Sequence, residues 1–255
     1  MKRAWQGMAW VSMLALAACA STPEKAKPGT RIVIAQPGSK NAADADADVR
    51  RVVDGLQMIQ AGQIQAAIDG PFDEVVHRYE SRYGNSKKKI YSARGTEDAL
   101  IYLAMSASAK PPVSSEAIGP AWAMAYWGRG YAYNEMARYD DAIVELRKAL
   151  ALAPYDTQYN MELGFAYEQK KQWNTSLDLF KSAEAFAQLT APAEEVADLT
   201  CKALRGQGFN LVELHQYGAA RDAYNACLKK IPGEPKSLGE LQYIDEVQAK
   251  NQAGK

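Results

Sequence analysis

Three cysteines and two histidines are the side chains of this 255-residue chain best suited to nucleophilic, redox or metal chemistry near neutral pH: Cys19, Cys201, Cys227, His77 and His215. A thiolate attacks or ligates, and an imidazole moves protons or binds metal. Their spacing argues against one shared site, because the histidines stand 138 residues apart and no Cys-x-x-Cys occurs. His77 has Glu74 and Glu80 nearby but no second strong ligand or nucleophile, so it reads as a surface or satisfied histidine. Gly-x-Ser-x-Gly, His-Glu-x-x-His and the phosphate-binding loop are also absent. No catalytic residue, metal ligand or cofactor site is therefore assigned. Carboxylate pairs have no fixed spacing, and they are the route by which an enzyme reading stays open.

Cys19 has a context of its own. Lys2 and Arg3 precede a mostly apolar run from Ala9 to Ala18 that ends at this cysteine. A basic start and an apolar stretch of about 7–15 residues form a secretory signal, too short for a spanning helix of about 20 residues. Leu16-Ala17-Ala18-Cys19 resembles the lipobox of bacterial lipoproteins. The resemblance implies removal of residues 1–18, diacylglycerol on the Cys19 thiol and acylation of the new amino group. Ala20 stands where an Asp favours inner-membrane retention, which implies the periplasmic face of a Gram-negative outer membrane. Read without the resemblance, the residues also fit an ordinary signal cleaved after Ala18 or Ala20. Several acyl chains, at about 0.8 kcal/mol per buried methylene, would hold a protein at a membrane stably.

Charge excludes one class of partner. Thirty basic and thirty acidic residues cancel. Nucleic-acid binding calls for a concentrated positive field, and no such bias is present. Residues 19–46 carry Pro23, Pro28, Pro37, Gly29 and Gly38, then alternating Ala and Asp, and read as a disordered tether. Arg31–Ala35 has strand character but no evident partner.

Residues 47–120 read as an irregular helical unit. Val49, Val52, Val53, Leu56 and Ile59 fall at helical steps before Gly62 breaks the chain. Pro71 is expected to end one helix and start another over Phe72–Tyr83. The basic run Lys87–Arg94 reads as a solvated loop, with binding to an acidic or phosphate group as the alternative. Thr96 is expected to cap a helix reaching Ser108, and residues 111–119 to form a loop.

The elements that position everything else lie between 121 and 234. Gly130, Gly164 and Gly208 recur with the same companions: Tyr139, Trp173 and Tyr217 nine residues on, and Ala142, Ser176 and Ala220 twelve residues on. The first interval is 34 residues and the second 44, so one insertion of ten separates otherwise equal units. A 34-residue period of paired helices resembles the tetratricopeptide repeat (TPR). The resemblance is carried by Tyr126, Gly130, Tyr133, Tyr139, Ala142, Leu146, Ala149 and Pro154 in residues 123–156. In residues 157–188 it is carried by Leu163, Gly164, Tyr167, Trp173, Phe180 and Ala183. In residues 201–234 it is carried by Leu204, Gly208, Leu211, Tyr217, Ala220, Tyr224 and Pro232. Gly55, Gly62, Ile64 and Ala67 match it as a degenerate first repeat. It implies an all-α solenoid, a right-handed superhelix of antiparallel helix pairs. Residues 235–255 supply a capping helix, with Leu238, Leu241, Ile244 and Val247 on one face, and a tail. The ten extra residues, Leu189–Asp198, are expected to lengthen the third unit's first helix.

The resemblance also implies a groove lined by the first helix of each unit. Its register points to Trp127, Tyr131 and Asn134, then Met161, Phe165 and Glu168, then Lys202, Arg205 and Phe209. Aromatic side chains with one basic end suit an apolar peptide carrying an acidic group. These residues could instead pack against the chain's own helices. Cys201 and Cys227 fall at ends of the third unit that antiparallel helices bring together, either as a disulfide or as two buried thiols. The expected function is a non-catalytic scaffold binding a periplasmic or outer-membrane protein in secretion, pilus or outer-membrane assembly, or cell-wall-enzyme regulation, with a homo-oligomer also open. A cell-wall-binding protein or an enzyme built on the repeats is the alternative.

Overall fold

A computed structural model describes residues 30–32 and 40–253. The leader, Cys19 and most of the expected tether lie outside the described residues. Helix α1 (Lys40–Gln60) pairs with a segmented second helix, in which α2 (Ile64–Ala67) runs through a π-helical turn (Ile68–Phe72) into α3 (Asp73–Tyr83). Strand β2 (Lys89–Ser92), helix α4 (Thr96–Ser108) and strand β3 (Ser115–Ile118) follow. Three further pairs complete the array: α5 (Ala121–Glu135) with α6 (Tyr139–Leu152), α7 (Thr157–Gln169) with α8 (Trp173–Thr190), and α9 (Val196–Glu213) with α10 (Tyr217–Lys230). Helix α11 (Pro235–Ala253) closes it.

Two local devices recur in every pair. The first is a close approach between a first-helix glycine and a bulky second-helix residue. A Cβ on Gly130 would stand 2.5 Å from Leu146, on Gly164 2.9 Å from Phe180, and on Gly208 2.5 Å from Tyr224. The second is the turn between the two helices. Gly62, Ala137, Lys171 and His215 each lie seven residues after the unit's glycine, with φ of 78°, 55°, 56° and 58°. At each turn the next residue's N–H returns to a carbonyl five residues back, Gln63 to Met58 through Gln216 to Leu211, as in a Schellman stop. Gly62 in this place shows that residues 40–83 are a true first repeat.

That repeat carries one extra residue. Phe72 stands seventeen residues after Gly55, where sister units use sixteen. The π turn absorbs the surplus, and the Phe72 ring still reaches a point 2.6 Å from a Cβ on Gly55. Pro71, with no N–H to donate, sits inside this wide turn. The expected break at Pro71 is thus a continuous, locally widened helix. The same ring stands 2.6 Å from a Cβ on Gly128 of α5, so the first unit stacks directly on the second although about 35 residues intervene in sequence.

Those intervening residues form a β-α-β insert. Strand β3 is central, with β1 (Thr30–Ile32) on one side and β2 on the other, all parallel. Thr30 is in register with Ser115, and Lys89 pairs with the same Ser115. Part of the expected tether, the basic loop and the loop at 111–119 are therefore strands. The tether is corrected a second time at Lys40, where α1 already begins. Ala-rich sequence favours helix, and Asp48, 2% exposed, is held by Arg78 of α3. At α4 the cap is Gly95 rather than Thr96. Asp98 accepts there from the Arg94 backbone N–H at 3.4 Å.

The insert is pinned to the repeats. Arg94 Nε lies 3.1 Å from Asp98, its Nη1 lies 3.6 Å from Asp156 ahead of α7, and its Nη2 donates to the Thr190 carbonyl at the end of α8. Tyr91 stacks on Tyr102, Tyr102 meets Tyr155, and Tyr155 meets Phe186 of α8 at 4.6 Å. Ser92 Oγ accepts from the Ala123 N–H, serving the first turn of α5. The ten surplus residues after the third pair are shared: α8 and α9, at 18 residues each, both outrun the 14- and 13-residue helices α6 and α7. Only part of the insertion lengthens α9, because α8 continues to Thr190 to meet the insert.

Candidate functional site

The first helices α5, α7 and α9 bring the nine expected groove residues onto successive units, but not all onto a surface. Trp127 is 8% exposed and is stacked between Tyr131 and Tyr159, at 6.0 Å and 5.9 Å. Asn134 is buried, and its Nδ2 donates to the Glu162 carbonyl at 3.2 Å and faces its carboxylate at 3.4 Å. Both residues join α5 to α7. Their place in the groove is corrected, because Tyr159 of the next unit covers the indole.

Of the nine, Phe165 and Phe209 are the exposed aromatics, each 38% accessible. They occupy the same place in consecutive units, directly after Gly164 and Gly208. Each stands edge-on to the first aromatic of the preceding second helix, Phe165 to Tyr139 at 6.4 Å and Phe209 to Trp173 at 6.0 Å. Two rungs of a hydrophobic ladder result. Met161 and Tyr131 are half-buried.

The charges differ from expectation. Lys202 pairs with Asp198 at 2.6 Å, and Arg205 pairs with Glu234 at 3.1 Å. The basic end that would receive an acidic group is thus already neutralised within the chain. Glu168 accepts from Asn210 Nδ2 at 2.8 Å, and burial pushes its carboxyl up to about 8 despite that bond. Burial likewise pushes Glu162 up to about 7, opposed by Asn134 and assisted by Glu135. Burial first, then Glu135 and Glu162, raise the Tyr131 phenol. Among the described residues no Lys or Arg nitrogen lies within 4.0 Å of Glu135, Glu162 or Glu168.

Asn210, Glu162 and Glu135 were not singled out from sequence. One signal for Glu162 was available: it lies two residues before its unit's glycine, a place held by Gly128 and Gly206 in the flanking units. A carboxylate amid sister glycines marks a local specialisation.

The remaining reactive side chains are dispersed. His77 pairs with Asp73 at 3.1 Å on the surface of α3, while His215 sits in a turn beside the Tyr217 hydroxyl. Cys201 of α9 and Cys227 of α10 are fully buried, with Cα atoms 4.4 Å apart and sulfurs in bonding contact. Glu234 beside them accepts from the Ser237 N–H at 2.7 Å, starting α11. In the basic run, Lys88 pairs with Glu116 and Arg94 with Asp98 and Asp156, so both have internal partners.

No protein-family model matches the chain. No curated protein matches it either. Solved structures do. The crystal structure of MamA aligns with a TM-score of 0.50 at 15% identity, over 76% of this chain and 84% of that one. The first TPR domain of human RPAP3 aligns at 0.46 and 21%, over 54% and 100%. The N-terminal domain of stress-induced protein-1 from C. elegans aligns at 0.44 and 17%, over 48% and 94%. The recurring glycine contacts and left-handed turns account for the likeness: the fold is a tetratricopeptide-repeat solenoid, interrupted after its first unit by a small parallel sheet.

Proposed function

We propose that this protein is a non-catalytic outer-membrane lipoprotein that offers the face of its first helices to a partner protein in the periplasm. The observation that carries the reading is the pair of exposed rings, Phe165 and Phe209, at equivalent places in adjacent units. Large apolar side chains left half-open on a rigid scaffold favour association, since covering them removes apolar surface from water. The address rests on Leu16-Ala17-Ala18-Cys19. Both histidines are exposed and the two buried cysteines face each other, so among the described residues neither kind is paired as a nucleophile with a base.

Two measurements test this. Cross-linking and pulldown from envelope extract should recover a partner that Phe165→Ala and Phe209→Ala release together; a partner retained by both variants would sink the groove reading. Cys19→Ser should abolish fatty-acid labelling and move the chain out of the outer-membrane fraction. Unchanged labelling would refute the anchor.

A further inference from the structure

Charge on the proposed groove is one-sided, and the asymmetry lies in which side chains are already paired. Lys202 and Arg205 are held by Asp198 and Glu234. Glu135, Glu162 and Glu168 have no basic side chain within 4.0 Å among the described residues. Among the described residues, the side chains of Glu162 and Glu168 accept from the amides of Asn134 and Asn210, which are neutral donors. Phe165 and Tyr131 flank the same stretch, and their ring faces attract cations while repelling anions. We infer that the groove takes a cationic apolar segment of a partner protein, in which lysine or arginine side chains meet the Glu135–Glu162–Glu168 side and neighbouring apolar side chains cover Phe165 and Phe209.

The inference rests on the groove reading above and adds the sign of the occupant. An acidic segment would face Glu135 as a like charge and push the Glu162 and Glu168 carboxyls higher still, supplying no counter-charge. A basic one supplies the counter-charge that the fold omits. It would also draw the two raised carboxyls back toward ionisation, so docking near pH 7.5 releases protons to the buffer.

The test is calorimetry of the full chain against two synthetic peptides that share a Leu/Phe pattern, one carrying Lys and the other Glu. The Lys peptide should bind at least about tenfold more tightly, and the difference should shrink as salt rises. Titrations in buffers of different ionisation heat should show proton release on binding. Glu135→Gln with Glu168→Gln should bring the two peptides to within about threefold, preserving shape and removing charge. Equal or tighter binding of the Glu peptide, or no binding of the Lys peptide, overturns the inference. In the first of those outcomes, weakening by Phe165→Ala and Phe209→Ala leaves the groove reading standing. Binding of the Lys peptide that both alanine variants leave intact removes the groove reading itself.

Discussion

The ring of Phe180 lies so close to Gly206 that a Cβ on that glycine would stand 2.4 Å from the ring carbons. Gly206 belongs to the next unit, and Gly164 of Phe180's own unit stands on the other side at 2.9 Å. Phe72 is clasped in the same way by Gly55 and Gly128. Where the clasped residue is the smaller Leu146, the corresponding place in the next unit accommodates Glu162. Ring size and the next unit's glycine thus vary together along the array.

Gly206→Ala should destabilise the protein by about 1–3 kcal/mol through overpacking. Adding Phe180→Leu should recover part of the loss, since the smaller side chain vacates the contact. Chemical denaturation of both single variants and the double variant gives the coupling. Additive losses would show that the two residues do not meet.

The left-handed turns make a prediction of opposite sign in neighbouring units. Gly62→Ala should cost about 1 kcal/mol, because a left-handed conformation strains a side chain although nothing lies within 4 Å of the new Cβ. Ala137→Gly and Lys171→Gly relieve that strain and should be neutral to stabilising by up to about 1 kcal/mol, after the unfolded chain's gain in freedom. Thermal midpoints moving the other way at all three sites would contradict the turn geometry.

Stability should fall as pH rises from about 4.5 to 8 through the seam carboxyls. Both Glu162 and Glu168 hold their protons more tightly folded than unfolded, with values of about 7 and 8 in place of 4.5. Their contribution is fully present below the unfolded value and is lost as pH passes the folded one. Glu168→Gln, which still accepts from Asn210, should flatten the slope over that window and exceed the parent in stability at pH 9. An unchanged slope in urea melts across pH would dismiss the burial of this carboxyl.

The paired cysteines add a redox prediction. Protein prepared from an oxidising compartment should show no alkylation of Cys201 or Cys227 without reductant. Reduction should lower stability by about 3 kcal/mol, the loop-closure figure for cysteines about 26 residues apart. Two alkylated thiols in unreduced, denatured protein would dispose of the bridge.

The helical array was legible because its causes are local: a glycine, an aromatic nine residues on and a small residue twelve residues on recur within single units. The sheet was not, since β1 and β3 are three and four residues long and pair across 85 positions. No short-range pattern announces such a match. At the groove, register alone identified Phe165 and Phe209 but also nominated Trp127, whose cover comes from Tyr159 of another unit. Asp198 could have been read as a partner for Lys202 at i, i+4 spacing. Glu234, 29 residues beyond Arg205, required the fold.

The pairing of Thr30 with Ser115 sets a limit on how far the folded body can stand from a bilayer. With residues 19–46 unstructured, the separation between a lipid on Cys19 and the domain could approach about 90–100 Å at full extension. Chain fixed at Thr30 leaves eleven residue steps, which span about 40 Å at most in any conformation. A lipid at Cys19 would therefore act as a short ruler fastened to the side of the array, at the insert beside its first unit. It would hold the insert within that span of the membrane and would confine partners to those that reach the same layer.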